Sequence, residues 1–446
     1  MLKSFLGLSF LRLTDRFRGD RRGNVAIIFA ITCIPLISMV GAAVDYTRAL
    51  QIRSQLQAAL DTASVGSIVQ KSAAFITAGS MAADGPVPGG DVDAINISKG
   101  NTSGRTGFTL TSTTATVNRA NGVVTATMQF SADVPTSLTS VMGFSKMTVT
   151  GSSVATATMP NYIDFYLLLD NSPSMGVGAT PADVALMVNN TSDKCAFACH
   201  DLKNTNNYYE LAKTLKVKTR IDVLRTATQK LMDTAASTQT YSNQFRMAIY
   251  DFGAAASTSG LRALFTLSSS LSSAKTAAGN IDLMTVNGQN DNNDQDTGYS
   301  AIFPAINSAI SAPGAGTAGA PLKYLFFVSD GVADEYNPSN CQKPTNGARC
   351  QSPINPALCT TLKNRGIKIA VLYTTYLALP TNDWYNTWIA PFNAGPYGPS
   401  PNSQIAINMQ SCASPGFYFE ISPTLGISEA MTALFQRAVA DARVSR

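Results

Sequence analysis

Histidine is almost absent. The 446-residue chain has one, His200, and only 14% of its residues are charged. A single imidazole excludes the multi-histidine zinc sites. His200 follows two cysteines in the order C-x-x-x-C-H, one residue longer than the spacing that attaches haem. No G-x-S-x-G elbow accompanies it, so a serine-hydrolase triad is not in view. These absences point to a binding protein, not an enzyme, with no small-molecule substrate. Basic charge is scarce outside one place. Residues 1–22 hold Lys3, Arg12, Arg16, Arg18, Arg21 and Arg22 against Asp15 and Asp20, which accounts for nearly all of the net +5. The rest of the chain has no basic surplus to attract a nucleic acid.

Long apolar runs are few, and one stands out. Gly23 to Val44 is 22 residues without a charge. About 20 such residues span a bilayer core as a helix, and Pro35 kinks but does not forbid one. The basic stub before it and Asp45 after it set the orientation by the positive-inside rule. Residues 1–22 are then cytoplasmic, 23–44 the transmembrane helix, and the bulk of the chain periplasmic, at a bacterial inner membrane. Cleavage of a signal peptide near Gly41-Ala42-Ala43 is the open alternative.

Residues 45–71 read as an amphipathic helix, with Leu50, Ile52, Leu56, Leu60, Val65 and Ile68 at roughly helical spacing. Residues 72–160 read as a small β-rich domain. Its first part, 72–100, is rich in Gly, Pro and Asp and reads as a loop. Thr/Val alternation follows, with Asn121-Gly122 as a hairpin signal. A long apolar helix before a small antiparallel sheet is also the layout of pilin-like subunits.

From residue 161 apolar runs such as YIDFYLLLD, FRMAIYDFG, KYLFFVSDG and IKIAVLYTTY alternate with helical stretches. That pattern implies an α/β domain over 161–446 with a doubly wound, mostly parallel sheet. Stretches 176–217, 331–360 and 380–411 read as insertions. Six cysteines fall in this domain, within or beside these stretches: Cys195, Cys199, Cys341, Cys350, Cys359 and Cys412. An even set in an exported domain reads as disulfides, with fifteen possible connectivities. Local spacing favours Cys195–Cys199 and Cys341–Cys350, which leaves Cys359–Cys412. Tyr208, Tyr209, Trp384, Tyr385, Trp388 and Tyr397 also lie in the insertions, either as partner-binding anchors or as small satellite cores.

The chemistry-bearing pattern begins where the first strand ends. Asp170, Ser172 and Ser174 form D-x-S-x-S directly after an apolar strand. Loops at the carboxyl ends of parallel strands are where ligands bind in open sheets. Asp330 closes another apolar strand, and Thr297 precedes a helical stretch. Oxygen-only ligands of this kind suit a hard cation, Mg²⁺ first and Mn²⁺ or Ca²⁺ as alternatives. Asp291, Asp294 and Asp296 resemble a calcium-loop fragment, but lack its Gly and Glu, and read as the polar loop that delivers Thr297.

D-N-S-P-S-M, a mid-domain Thr before a helix, and S-D-G after a strand together resemble the von Willebrand factor A domain with its metal-ion-dependent adhesion site. The resemblance implies that Ser172, Ser174 and Thr297 coordinate the metal and that Asp170 and Asp330 hold it directly or through water. It also implies a protein partner whose acidic side chain completes the coordination. RRGNVAIIFAITCIPLISMVGAAVDYTRALQIRSQLQAALDTASV resembles the anchor of TadG-like proteins of Tad (Flp) pilus systems. The position that prepilin processing reserves for Glu is Ile28, so the chain is expected to be an accessory or assembly component and not the major pilin. A surface-exposed adhesin for host or matrix ligands is the other reading.

Overall fold

The computed structural model describes residues 23–81, 83–288, 296–336, 341, 343, 349–394, 403–421 and 426–444. The basic stub, Asp291, Asp294 and Tyr397 lie outside them. The chain divides into two units, one formed by Met1–Ala78 and Ala83–Thr158, the other by Gly79–Ala82 and Met159–Arg446.

The first unit is built on a 46-residue helix, Gly23–Ile68, with Pro35 inside it. Among the described residues it belongs to the one helix long and apolar enough to cross a membrane. Its first half turns its apolar side chains outward: Ile28, Phe29, Ile34, Ile37 and Met39 are all 60–70% exposed. Its second half buries Ala49, Ile52, Leu56, Ala59, Leu60 and Ala63, a stripe at three- and four-residue steps. Leu50 and Val65, expected on that stripe, are exposed. Leu50 stands two residues before Ile52 and Val65 two after Ala63, each about 200° round the helix from it.

The stripe packs on a four-stranded antiparallel sheet in the order β1 (Gly85–Pro86), β2 (Thr109–Ala120), β3 (Val123–Pro135), β4 (Lys146–Thr158). β2 and β3 are joined at Asn121 and Gly122, with φ of 48° and 70°. A two-residue primed turn requires both to be left-handed. β3 buries Val124, Ala126, Met128, Phe130, Ala132 and Val134 in strict alternation. Residues 72–100 are not a plain loop: they contain helices Ala73–Ser80 and Gly90–Thr102. Asp91 and Asp93 in the first turn of the second favour it through the helix dipole despite its weak propensity.

The second unit is a six-stranded mixed sheet. β5 (Ile163–Leu169), β6 (Phe245–Asp251), β8 (Leu322–Ser329), β11 (Lys368–Thr374) and β12 (Tyr418–Ile421) run parallel. β7 (Arg262–Ser268) is antiparallel on one edge, and the order is β12-β11-β8-β5-β6-β7. β5 is buried along its whole length. Ile163, Phe165, Leu167 and Leu169 face one core with helices Arg220–Thr238 and Ile427–Val444. Tyr166 and Leu168 face another with helices Tyr299–Ala309, Ala357–Asn364 and Gln404–Cys412. That two-sided burial is why the strand reads as an uninterrupted apolar run.

The described residues of the three stretches read as insertions carry regular elements. The first carries helices Pro181–Asn190 and Tyr208–Leu215. The second folds into an antiparallel hairpin, β9 (Val332–Tyr336) with β10 (Arg349–Pro353). Disulfides join Cys341 to Cys350 and Cys359 to Cys412. The expected Cys195–Cys199 bond is absent, and both thiols are free. The Cys195 sulfur is instead engaged by its neighbour, accepting from the Phe197 amide at 3.4 Å. Closeness in sequence did not bring the sulfurs into bonding geometry, which disulfides require strictly.

Candidate functional site

β5 and β8 are adjacent and parallel, so the residues that follow them emerge side by side at one edge of the sheet. Asp170 and Asp330 sit there, both fully buried. Asp170 Oδ1 accepts from the Ser172 amide at 2.9 Å and from Ser172 Oγ at 2.6 Å. Its Oδ2 accepts from Ser329 Oγ at 2.5 Å, and Ser329 Oγ lies 2.6 Å from the Tyr299 hydroxyl. Ser172 Oγ and Ser174 Oγ are 3.0 Å apart.

The loop is pinned so that these oxygens keep their places. Asn171 is fully buried. It donates to the carbonyls of Gly253 and Asp282 and accepts from the Phe252 amide. Pro173 begins a short 3₁₀ turn, Pro173–Gly176, where its fixed φ is an advantage. Gly176 is tightly enclosed, since a Cβ there would come 2.9 Å from the Ala198 carbonyl oxygen.

Asp330 faces a residue that sequence reading did not single out. Arg220, the first residue of its helix, is fully buried with Nη1 3.8 Å from Asp330 Oδ2. It donates to the Thr375 carbonyl at 2.7 Å and stacks over the Tyr376 ring at 4.9 Å. Asp330 Oδ2 itself accepts no hydrogen bond. No local signal marks Arg220, because its partner lies 155 residues away.

Thr297 reaches the same edge from the other side. It is buried, and its backbone pairs with Asp334 of β9 through two hydrogen bonds, 3.2 and 3.0 Å. Glu335 accepts from the Ser300 amide at 2.7 Å, at the start of helix Tyr299–Ala309. Arg349 of β10 donates to Asp334 at 2.8 Å and to Asp296 at 2.8 Å. The disulfide-closed hairpin thus holds the segment that carries Thr297. Ser172, Ser174 and Thr297 line one cleft of about 460 Å³, with Asp296, Asp334 and Arg349 at its polar wall. Phe197, Trp384 and Trp388 form its apolar wall. Trp384 packs edge-on against Phe197 at 5.4 Å and Lys343 caps Trp388 at 3.8 Å. Both cysteines of the C-x-x-x-C-H run border the cleft, and His200 stacks on Tyr209 at 4.7 Å.

Electrostatics set what this cleft can hold. Burial, and next the charge of Asp330, push Asp170 up to about 7 despite the hydrogen bonds from Ser172 and Ser329. Burial raises Asp330 too, opposed by Arg220 and by the hydroxyls of Ser174 and Tyr376. Two carboxylates share one guanidinium, so ionising both leaves uncompensated negative charge in a dry site. A divalent cation would correct that imbalance. Oxygen neighbours in an octahedron with bonds of about 2.05 Å stand about 2.9 Å apart, close to the Ser172–Ser174 separation. Asp330 Oδ2 is also left over as a buried acceptor. Among the described residues no three His, Cys, Asp or Glu side chains converge, so a cation here would depend on the hydroxyls. The residues present fit a hard cation.

Residues 23–67 match the family described as "Putative Flp pilus-assembly TadE/G-like". The long helix therefore carries a TadE/G-like segment. No curated protein gives a significant match. Among solved structures, the von Willebrand factor domain of the type V pili tip protein Mfa5 from Porphyromonas gingivalis aligns at 9% identity and a TM-score of 0.36. That alignment covers 64% of this chain and 97% of that one. Proximal thread matrix protein 1 from the mussel byssus, with a zinc-occupied MIDAS motif, aligns at 14% identity and a TM-score of 0.30. It covers 63% of this chain and 46% of that chain.

Proposed function

We propose that this chain is a membrane-anchored accessory or assembly protein of a Tad (Flp) type pilus or secretion system, and that it binds a protein partner through a metal-dependent A-type domain. It is a binder and not an enzyme. The observation that carries this reading is the convergence at one sheet edge: Ser172, Ser174 and Thr297 at a cleft, with Asp170 and Asp330 buried behind them. Mg²⁺ is the first choice of ion, with Mn²⁺ or Ca²⁺ as alternatives. Ser172, Ser174 and Thr297 would hold it, with Asp170 and Asp330 as direct or water-mediated supports. When bound, the ion supplies an electrophilic point for an acidic group of the partner.

The doubly wound description of the second unit belongs to this reading, supported by the cores on both faces of its sheet. So does the pilin-like description of the first unit, supported by its long helix and antiparallel sheet. The apolar, outward-facing first half of the helix supports an inner-membrane anchor, with residues 1–22 cytoplasmic and the bulk periplasmic.

A ligand that binds only the folded state raises its stability, by about 2.7 kcal/mol at a hundredfold excess over Kd. The full-length chain in detergent micelles is therefore expected to melt several degrees higher in millimolar Mg²⁺ than in EDTA. Identical melting in EDTA, Mg²⁺, Mn²⁺ and Ca²⁺ would count against the metal-dependent reading.

A further inference from the structure

The turn between β3 and β4 exposes an unusual set of side chains. Leu138, Val141, Met142 and Phe144 are exposed, Val141 to 89%. Four large apolar groups within seven residues form a patch that water disfavours. The backbone beneath them is well tied. Thr139–Met142 is a 3₁₀ turn, the Thr136 amide donates to the Ser145 carbonyl at 3.1 Å, and the Phe144 amide donates to the Thr139 carbonyl at 3.2 Å. The patch is presented by an ordered turn.

Its position along the long helix is fixed by two contacts. Gly41 lies against Leu138 so closely that a Cβ on the glycine would stand 2.7 Å from the leucine Cβ. One turn further on, Asp45 accepts from the amides of Ser137, Leu138 and Thr139 at 3.1, 2.9 and 2.8 Å, and from Thr139 Oγ1 at 2.9 Å. Asp45 is buried by this turn. The uncharged run ends at Val44, and 22 residues at helical rise measure about 33 Å, close to a bilayer core. Gly41 then lies about 4.5 Å inside the outer boundary, and Leu138 lies at its level.

We propose that the 138–144 turn is a second membrane-contacting element, which seats its apolar side chains in the outer lipid interface beside the anchor helix. The occupant is lipid, because the patch continues the exposed apolar surface of residues 25–44. Interfacial segments bury their apolar side about 5–10 Å into the headgroup region. The polar border fits as well. Lys146 follows the turn, exposed and paired with Asp133, and Arg48 reaches Ser137 at 3.5 Å on the side away from the apolar run. The four hydrogen bonds to Asp45 satisfy a carboxylate that would otherwise sit bare at the edge of the hydrocarbon. Two contacts, helix and turn, restrict the tilt and rotation that a lone helix leaves open. From there β4 leads away from the membrane end: Arg53 donates to the Thr150 carbonyl and Gln57 to the Ser152 carbonyl, so strand and helix climb together.

The inference rests on the reading of 23–44 as a membrane span, and the test separates the two. The full-length chain is reconstituted into phosphatidylcholine/phosphatidylglycerol vesicles, with or without acyl-chain-brominated phosphatidylcholine. Quenching of an introduced indole is compared for Phe144→Trp, Val154→Trp and Phe29→Trp, with the parent's own Trp384 and Trp388 signal subtracted. All three positions are exposed, so the fold is not at stake. The expected result is strong quenching for Phe29→Trp, and quenching for Phe144→Trp several-fold above Val154→Trp, with less access for aqueous acrylamide. Phe144→Trp matching Val154→Trp while Phe29→Trp is quenched overturns the turn and leaves the anchor. No quenching at Phe29→Trp overturns both.

Discussion

Asp170→Asn is expected to abolish saturable Mg²⁺ binding, by a hundredfold or more in affinity, and at the same time to leave the metal-free protein as stable as the parent or more so. The two halves have one cause. In the metal-free protein the Asp170 carboxylate is buried beside Asp330 and is pushed up to about 7. The sign follows from linkage. Between the ordinary carboxylate value and 7 the folded chain keeps a proton that the unfolded chain has lost, so stability falls as pH rises through that window. The penalty, fully developed above pH 7, is up to about 4 kcal/mol, since each tenfold rise in proton affinity is worth about 1.4 kcal/mol. Asparagine keeps the shape and removes Asp170's share of the penalty, so from pH 5 to 8 the variant's metal-free stability should fall less steeply than the parent's, the remaining slope coming from groups such as Asp330 that burial also raises. Mg²⁺ should restore the parent at pH 8 and leave the variant unchanged. Melting curves at pH 5 and 8, each in EDTA and in Mg²⁺, measure all four quantities. A parent whose metal-free stability rises toward pH 8 would contradict the account.

Arg220→Met is expected to destabilise the metal-free second unit by about 3–5 kcal/mol, the usual cost of removing one partner of a buried pair. That corresponds to a drop in Tm of roughly 10 °C for a unit of this size. Methionine fills much of the volume, so the loss is mainly electrostatic. Asp330 would keep its burial and lose its cationic neighbour at 3.8 Å, and the Thr375 carbonyl would lose its donor. Adding Asp330→Asn to the variant should recover a large part of the loss, because the orphaned charge goes with it. Mg²⁺ should also narrow the gap between parent and variant, since it offers Asp330 another positive charge. A variant that melts within a degree or two of the parent in EDTA would show that Arg220 is not the counter-charge of the site.

The parts of this arrangement legible in sequence are those fixed by local pattern. Asp170, Ser172, Ser174 and Asp330 follow strongly apolar strand runs, and strands of a parallel sheet end at a common edge. The Asn121-Gly122 turn was equally plain, because few residues tolerate two left-handed positions in succession. What escaped is held by distant packing. Arg220 looks like an ordinary polar residue, because the carbonyl it donates to lies 155 positions away. The β9–β10 hairpin was hidden because its buried members include Asp334, Glu335, Arg349 and Gln351. Charges that neutralise one another defeat a reading based on apolar alternation. The Cys195–Cys199 expectation failed on the same ground, since sequence spacing does not carry side-chain direction.

On the proposed reading, one hard cation binds at the edge formed by Asp170, Ser172, Ser174, Thr297 and Asp330. Calorimetric titration of Mn²⁺ into the full-length chain in detergent tests it most directly, with the combined Ser172→Ala, Ser174→Ala and Thr297→Ala variant run beside the parent. One saturable site per chain is expected in the parent and none in the variant, with both melting cooperatively in EDTA. No saturable heat in the parent, or the same isotherm in both proteins, would contradict it.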